Sequence, residues 1–544
     1  MNNRLYLFIF LTLCCCDSFS QSPNWLWAKS AEGRSEWVNN IDTDAKGNSY
    51  VNGHYDGDSF TLGNTTLLGK GYLDIFIAKF DPLGNVIWAK NIGGKLYEST
   101  TGIAVDDEGN FYITGWYKSD TLFFGSAFLK KFEKNFWTED IFIAKYDPLG
   151  NLIWIKSGGG KGSKRNGGIA VDQSQNIYIT GNSDSSIYFD DIKVNIKNTN
   201  KRETSDYTIK FDANGKIIWA KTLDKVSSSF NNCIALDKYG NPHISRSFKL
   251  PFIFGQDTLN NSGTYILKYD SSGNPINAIN AIETWSGPNN NLTIDEKGSI
   301  YLTGTFNSET LKFKSKTLKN VGSNDFFVVK FDSIGNELWV KSEAGTGSEG
   351  ITSLCVDSKG NCFIIGHSSS PLLVLGKNIF VNTEELLSLY IIKYNINGEL
   401  LWAKYAEMNL NTVHGNDIAA DKFGNIIIVG EFSGSAVLLG KDLLKNSNSS
   451  GTAFFIAKLD SSGVFEDNSI GRIKFFPNPS FGQFEITSPV TIKEVVITNT
   501  LGQFIYESKP NNEEVSISLE SKGMFYITIK TAGQTTVRKL LVER

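Results

Sequence analysis

Histidine and cysteine are scarce in this chain of 544 residues, at four and six. No His-x-x-x-His spacing, no Cys-x-x-Cys pair, no His-Glu-x-x-His motif and no Gly-x-Ser-x-Gly elbow occurs. The short signatures of zinc sites, thiol redox centres, metalloproteases and serine hydrolases are therefore missing. His54 and His367 follow matching glycines in YVNGH and FIIGH and are expected as exposed loop side chains, with His243 and His414 isolated. Positive charge is not in excess. Lys and Arg number 53 against 57 Asp and Glu, for a net charge of -4. The electrostatic footprint of a nucleic-acid binder is absent. Past the N-terminal segment, no apolar run is long enough to span a bilayer.

Residues 1–20 read as a targeting segment. Arg4 supplies the positive end, Leu5 to Cys16 the apolar stretch, and Ser18-Phe19-Ser20 a small-x-small cleavage site before Gln21. The alternatives are acylation at Cys14, Cys15 or Cys16, or a retained anchor. Cleavage leaves Cys233, Cys355 and Cys362. The last two flank one hairpin turn. Counting outward from it sets Val356 opposite Cys362 and Cys355 opposite Phe363, so the thiols point to opposite sides of a sheet and no disulfide is expected. All three read as small buried hydrophobes.

What the chain does have is glycine (51), aromatic residues (Phe 37, Tyr 20, Trp 11) and a long-period repeat. The unit is cleanest at residues 103–156, where IAVDDEGNFYITG leads through a variable excursion to DIFIAKYDPLGNLIWIK. It recurs about every 60–65 residues. One turn begins at Asp44, Asp106, Asp172, Asp237, Asp295, Asp357 and Asp421. A second begins at Asp81, Asp147, Asp212, Asp270, Asp332, Asn395 and Asp460. In each, Asp opens a type I turn by accepting backbone N–H bonds. The fourth residue is Gly in thirteen of fourteen copies, where a left-handed backbone suits it; Gln175 is the exception. Asp81, Gly84, Asp106, Gly109, Asp147, Gly150, Asp357 and Gly360 are thus structural turn residues. A calcium loop needs oxygen ligands at alternate positions, and these turns lack them.

Four strands are expected per unit. In the second copy they are Gly102–Asp106 (A), Asn110–Gly115 (B), Asp140–Asp147 (C) and Asn151–Lys156 (D). The strands are apolar on both faces, as sheets packed between two neighbours should be. The seventh copy lacks strand D, and the missing strand stands at the start as NWLWAKS, residues 24–30. The fold class expected is all-β: a seven-bladed β-propeller over 21–464, closed by its N-terminal strand, then a linker at 465–472 and a small C-terminal β-sandwich at 473–544. Trp27, Trp88, Trp154, Trp219, Trp339 and Trp402 fall on outer strands, read as packing between blade rims, with carbohydrate stacking as the alternative. The fourth copy is degenerate, with HISRSF for YITG and PINAI for the Trp strand. It is expected to be the least stable.

Topology puts the tight A–B and C–D turns on one face and the variable B–C and D–A connections on the other. Long examples run over 116–140, 157–168 and 182–206. Several B–C excursions carry an LxFG or LLG element, at Leu122–Gly125, Leu311–Lys314 and Leu438–Gly440, expected as a short extra strand or hairpin. Loops on a rigid scaffold are the usual binding elements. Lys161, Lys164 and Arg165 lie in a Gly-rich D–A loop and read as a mobile loop or a contact for an anionic polymer.

The motif GIAVDDEGNFYITG followed by DIFIAKYDPLGNLIWIK resembles the bacterial SBBP-type seven-bladed β-propeller repeat over residues 24–460. The C-terminal segment resembles the type A sorting domain of the type IX secretion system, common in the Bacteroidetes. The matching features are FFPNPSFGQFEI with Pro477, Asn478, Pro479 and Gly482, LGQFIY with Gly502, GMFYITI with Gly523, and RKLLV with Lys539. That resemblance implies export to the periplasm, passage across the outer membrane, removal of the C-terminal domain, and release or surface attachment. The type IX machinery is then the expected partner. The function expected is a non-enzymatic binding or adhesion scaffold, monomeric and without a cofactor, holding a glycan or protein on its long-loop face. The alternatives are a secreted carbohydrate-active enzyme using loop carboxylates on that face, and a structural surface-layer component.

Overall fold

The computed structural model describes residues 23–542 apart from 32, 34, 197–203, 227–232, 249–251, 284–289, 344, 376–377, 382–386, 406–411, 447–450, 461–473, 477–481, 500–502 and 532–534. The targeting segment and the linker lie outside the described residues. The chain divides into two compact units, Met1–Gly463 and Val464–Arg544.

The first unit is all-β, built from seven antiparallel sheets in a propeller-like arrangement. Among the described residues, no sheet closes on itself into a barrel. Each orders its four strands A-B-C-D. The A strands are Ser35–Thr43, Glu98–Val105, Lys164–Val171, Ile234–Leu236, Asn290–Ile294, Glu349–Val356 and Val413–Ala420. In the seventh sheet strand D is Trp25–Ser30, which pairs antiparallel with Thr452–Leu459 through Ala28↔Ala457 and Lys29↔Ile456. Strand C is buried along its whole length in several sheets, as in Asp74–Phe80 and Asp140–Tyr146. Its alternate side chains feed two different cores.

Seven apolar clusters fill the spaces between sheets. Tyr50, Ile75 and Ile77 meet Phe111, Ile113 and Phe142 between the first and second sheets. The same pattern recurs pair by pair to the sixth and seventh, where Phe363 and Ile391 meet Ile428 and Phe455. One further cluster joins Trp27, Val51 and Phe76 to Ile427, Val429, Phe454 and Ile456, which are residues of the first and seventh sheets.

Three features differ from expectation. Strands A and D of the second sheet run to Glu98–Val105 and Leu152–Gly159, beyond the expected ends. A bulge between Thr100 and Gly102 absorbs the extra residue of strand A. Most of the 157–168 connection is therefore strand, and Lys164 opens strand A of the third sheet, fully buried. Its ammonium donates to the Lys161 and Gly162 carbonyls. It is neither mobile nor offered to an anion.

The outer strands are also less open than an edge should be. Every B–C excursion holds a two-stranded hairpin, such as Thr121–Phe124 with Ala127–Lys130. That hairpin pairs with strand D of the preceding sheet through Phe123↔Gly93 and Phe124↔Ile92, and Phe189↔Gly158 repeats the contact one sheet on.

In the fourth sheet Arg246 stands where strand B elsewhere carries glycine. Gly53, Gly115, Gly181, Gly366 and Gly430 each lie so close to a strand A carbonyl that a Cβ would meet it at 2.0–2.2 Å. Strand A of the fourth sheet is described only over Ile234–Leu236. There Arg246 is buried and its guanidinium sits 2.6 Å from the buried Asp206 carboxylate of the third sheet.

In the second unit a 17-residue strand, Gln483–Asn499, pairs first with Asn512–Ser518 and then with Gly523–Thr531 and Phe504–Ser508. Register shifts between Thr487 and Ile492 mark the change of partner. One core, with Phe484, Ile486, Val495, Ile497, Ile517, Ile527 and Leu540, serves both halves.

Candidate ligand-binding face

The turn face of the first unit is spent on its own cohesion. Asp81 accepts Leu83 N–H and Asn85 N–H through Oδ1, at 2.9 and 2.8 Å, and the Asn85 amide through Oδ2 at 2.8 Å. Gly84 N–H closes the turn on the Asp81 carbonyl with φ of 81°. Asp106–Gly109, Asp147–Gly150 and Asp357–Gly360 repeat this geometry. Burial opposes ionisation of Asp81 and Asp147, but these donors outweigh it and hold both below the usual carboxylate range. The carboxylate oxygens are thus engaged by their own turns. Gln175 adopts φ of 61°, and its side chain accepts from the Lys145 ammonium at 2.8 Å.

Two contacts stitch turns to their neighbours in several sheets. The Trp88 indole donates to the Pro148 carbonyl at 3.4 Å, and Trp154, Trp219 and Trp339 donate to Ala213, Ser271 and Ile396 in the next sheet. Each ring lies against the turn glycine, so that a Cβ on Gly150 or Gly398 would meet it at 3.0 or 2.7 Å. Trp27, on the strand completing the seventh sheet, makes the same contact with the first sheet, donating to Pro82 at 3.1 Å over Gly84. The indoles are therefore held against turns and not laid open for sugar stacking. Strand C contributes a lysine. The Lys79 ammonium lies 3.6 Å from the Asp44 carboxylate and 4.6 Å from the Tyr50 ring, and donates to the Pro148 carbonyl. Lys210 and Lys330 repeat it with Asp172 and Asp295.

The A strands converge on an axial cavity of about 370 Å³ lined by Val38, Asn39, Asn40, Thr101, Asn291, Ile351, Thr352 and Asn416. These come from five of the seven sheets. The amides stitch neighbouring strands: Asn39 donates to the Thr100 carbonyl, Asn291 to Thr352 and Asn416 to Val38. Among the described residues, no carboxylate lines the cavity. Beside the axis Asp42 and Asp417 are half-buried by surface area, and desolvation of their carboxyl groups pushes them up to about 7 and about 6.

Toward the long-loop end, strand pairs set Trp37 opposite His54, Ser99 opposite Trp116, Arg165 opposite Asn182, Gly350 opposite His367, and His414 opposite Glu431. The Trp37 and His54 rings stack at 5.3 Å, with Ser99 Oγ 3.2 Å from His54 Nδ1. The His367 and His414 rings approach to 5.2 Å. This corrects the reading of exposed or isolated histidines. His54, His367 and His414 lie in strands, and burial lowers all three, the first two to about 4. Strand B does not end at its glycine: it runs on to Asp56 in the first sheet and to Ser368 in the sixth. Among the described residues, no group of three or more His, Cys, Asp or Glu could hold a metal ion.

Carboxyl pairs do occur, but inside. Glu98 is buried beside Asp74, and Glu349 beside Asp325. Gly94 N–H and Ser119 satisfy Glu98, and Gly345 N–H and Ser368 satisfy Glu349. The long-loop side is unlike the turn face in its surface. Among the described residues of the first unit, seven of the nine exposed aromatic side chains fall in its connections between residues 72 and 137: Tyr72, Tyr97, Phe123, Phe128, Phe132, Phe136 and Trp137.

Residues 474–543 match the family model for a secretion system C-terminal sorting domain, and residues 167–189 the model for a β-propeller repeat of SBBP type. The chain carries an SBBP-type β-propeller repeat and a secretion-system sorting domain. An uncharacterized WD repeat-containing protein of Acanthamoeba polyphaga mimivirus is 25% identical over 457 residues, 69% of this chain and 32% of that one. The regulatory protein FlaEY of Caulobacter vibrioides is 28% identical over 123 residues, 22% of this chain and 13% of its own. The chain thus spans a third or less of the curated relatives it matches. A solved structure of PorZ, a surface component of the type IX secretion system of Porphyromonas gingivalis, aligns over 95% of this chain and 100% of its own, at 10% identity and a TM-score of 0.23.

The sorting domain makes this a secreted or cell-surface protein of the type IX route. Within that domain Gly482 is described at φ of 97°, with its carbonyl accepting Leu519 N–H, and Gly523 at φ of 131°. Lys539 pairs with Tyr526 in the last strand pair. Pro477, Asn478, Pro479 and Gly502 lie outside the described residues. No helix among the described residues is long and apolar enough to cross a membrane. In the propeller domain, Cys355 opposes Phe363 and Cys362 opposes Val356, and among the described residues Cys233, Cys355 and Cys362 form no disulfide. The turn lysines and tyrosines were the residues missed by reading the sequence. Their signal was present: strand C carries a lysine before its last residue in all seven copies, a charge placed inside an apolar run.

Proposed function

We propose that residues 21–464 form a closed seven-bladed propeller, completed by Trp25–Ser30, that acts outside the cell as a non-enzymatic binding or adhesion scaffold. Closure is supported by the count of interfaces. An open row of seven sheets has six, whereas seven apolar clusters lie between sheets and one joins the first to the seventh. The Trp27–Pro82 contact supports it independently. The proposed limits place a signal peptide at 1–20, a linker at 465–472 and the sorting domain at 473–544. That domain, bending between Thr487 and Ile492 around one core, is read as a small sandwich.

The binding face is the long-loop face. The observation that carries this is the concentration of exposed aromatic rings in its connections, against a turn face whose polar groups are mutually satisfied. A binding role is favoured over catalysis because the axial cavity is lined by amides, hydroxyls and aliphatic groups, while the carboxyl pairs are sealed between sheets. Glycan-array and pull-down assays on the mature chain test the reading. It predicts a ligand whose retention falls when exposed long-loop aromatics are truncated and holds when Tyr239 or Phe423 on the turn face is changed. The reverse dependence would overturn it. For export, deletion of Ile473–Arg544 should leave the protein inside the cell with its propeller folded, and recovery of that deletion at the cell surface would contradict the assignment.

A further inference from the structure

We propose that the loop from Phe132 to Glu139 is a carbohydrate-stacking tip with Trp137 as its platform, and that the aromatic band behind it takes a polysaccharide. This rests on the long-loop face being the binding face, and it names the ligand class.

The tip is built and not merely exposed. Lys131 is 7% exposed, and its ammonium donates to the carbonyls of Lys118, Asn135 and Thr138. Thr138 N–H and Oγ1 both turn back to the Asn135 carbonyl, and Trp137 N–H donates to Asn135 Oδ1 at 3.0 Å. A buried charge that satisfies three loop carbonyls fixes the backbone. What it fixes is an outward pair: Phe136 at 47% and Trp137 at 79% exposed, edge to face at 5.2 Å. Trp137 is the one tryptophan among the described residues with its ring in solvent. An indole held outside a core gives the isolated protein nothing, so the energy of fixing it must be recovered on binding.

Behind the tip two parallel ring stacks present flat outer faces. Tyr72 lies on Tyr97 at 5.4 Å and 13°, and Phe132 on Tyr188 at 5.3 Å and 14°. Lysines are interleaved: Lys70 sits 5.3 Å from the Phe123 ring and Lys118 5.9 Å from the Phe136 ring. This mixture decides among ligand classes. A protein interface core is depleted in lysine. A membrane-inserting surface needs a contiguous apolar face, which these ammonium groups interrupt. A sugar ring offers an apolar C–H face for a flat aromatic ring and hydroxyls for the donors between rings. Pre-organised rings lower the entropy lost in holding such a weak ligand.

The test uses the mature full-length chain against laminarin, xylan, chitin, cellulose and polygalacturonate, with phosphatidylethanolamine–phosphatidylglycerol vesicles as a separate arm. Binding of at least one polysaccharide is expected, with a blue shift of tryptophan emission. Trp137→Ala should weaken that binding tenfold or more and remove the shift. Phe136→Ala should weaken it severalfold, and Phe423→Ala on the turn face should leave it unchanged. Near-UV circular dichroism confirms folding of each variant, and the Phe136 variant keeps the test alive should the Trp137 variant misfold. Polysaccharide binding indifferent to both tip variants overturns the tip while leaving the long-loop face standing. Trp137-dependent binding to vesicles alone, or no binding to any of the five polysaccharides, overturns the ligand class. Binding lost in Phe423→Ala and kept in Trp137→Ala overturns both readings.

Discussion

Replacing Trp27 by alanine should cost about as much stability as replacing Trp154, although one lies on the first described strand and the other deep in the chain. Trp27 is 9% exposed, lies over Gly84 and donates its indole N–H to the Pro82 carbonyl at 3.1 Å. Trp154 lies over Gly215 and donates to Ala213 at 3.0 Å. Truncating a buried aromatic to alanine costs roughly 3–5 kcal/mol. Of this, the lost hydrogen bond accounts for about 1 kcal/mol, so Trp27→Phe should cost nearer 1–2 kcal/mol. In a closed ring both tryptophans join consecutive sheets and the two losses are equal within a factor of two. In an open array Trp27 would sit on a terminal strand that frays, and its removal would cost nearly nothing. Urea unfolding of each variant gives the energies. Hydrogen exchange of amides in Thr452–Leu459 shows whether strand Trp25–Ser30 still covers that edge. A Trp27→Ala protein as stable as the wild type, beside a Trp154→Ala protein several kcal/mol weaker, would refute the closed ring.

Arg246→Met should destabilise by about 3–5 kcal/mol, because the buried Asp206 carboxylate loses the guanidinium that faces it between the third and fourth sheets. Adding Asp206→Leu should recover most of the loss, and a double-mutant cycle in urea measures the coupling. Gly430→Ala should cost about 3 kcal/mol or more, since its Cβ would stand 2.0 Å from the His414 carbonyl; thermal unfolding reads it. Asp42 should make stability fall as pH rises. Its folded value is raised to about 7 from 3.8, so its contribution is complete below pH 4 and lost by about pH 7. The amount is on the order of 4 kcal/mol. His54, lowered to about 4 from 6.5, works the other way, losing stability as pH falls between those values. Asp42→Asn should therefore flatten the decline between pH 5 and 7, and His54→Phe should steepen it, in urea titrations at fixed pH values.

The repeat was legible because each copy carries the same obligate turn chemistry. Asp–x–x–Gly turns recur whatever the strands between them do, and twelve of the thirteen described turns carry the glycine at positive φ. Strand order followed from the turns, and the displaced strand D followed from a Trp-Ala-Lys segment in the wrong place. The ends of strands were not legible. Ser157 to Asn166 looks like a loop because its glycines and polar residues resemble one, yet Gly158 and Gly159 face a hairpin from the next unit, and their small size admits Phe189 and Asp140. A contact within the sheet hid the histidines: strand A bulges beside the strand B glycine and stays paired past it. The aromatic tip escaped because FLKKFEKNFW carries no periodicity. Its order comes from one buried ammonium, and burial of a lysine is a property of the folded chain alone.

The strand that finishes the seventh sheet, Trp25–Ser30, is made some four hundred residues before its partner, Thr452–Leu459. A nascent chain threaded through a translocon would hold that early segment unmatched until nearly all of the repeat array had followed it. The two strands can therefore pair only when both share one compartment, and the sorting domain, which follows both in the chain, arrives just as that pairing becomes possible.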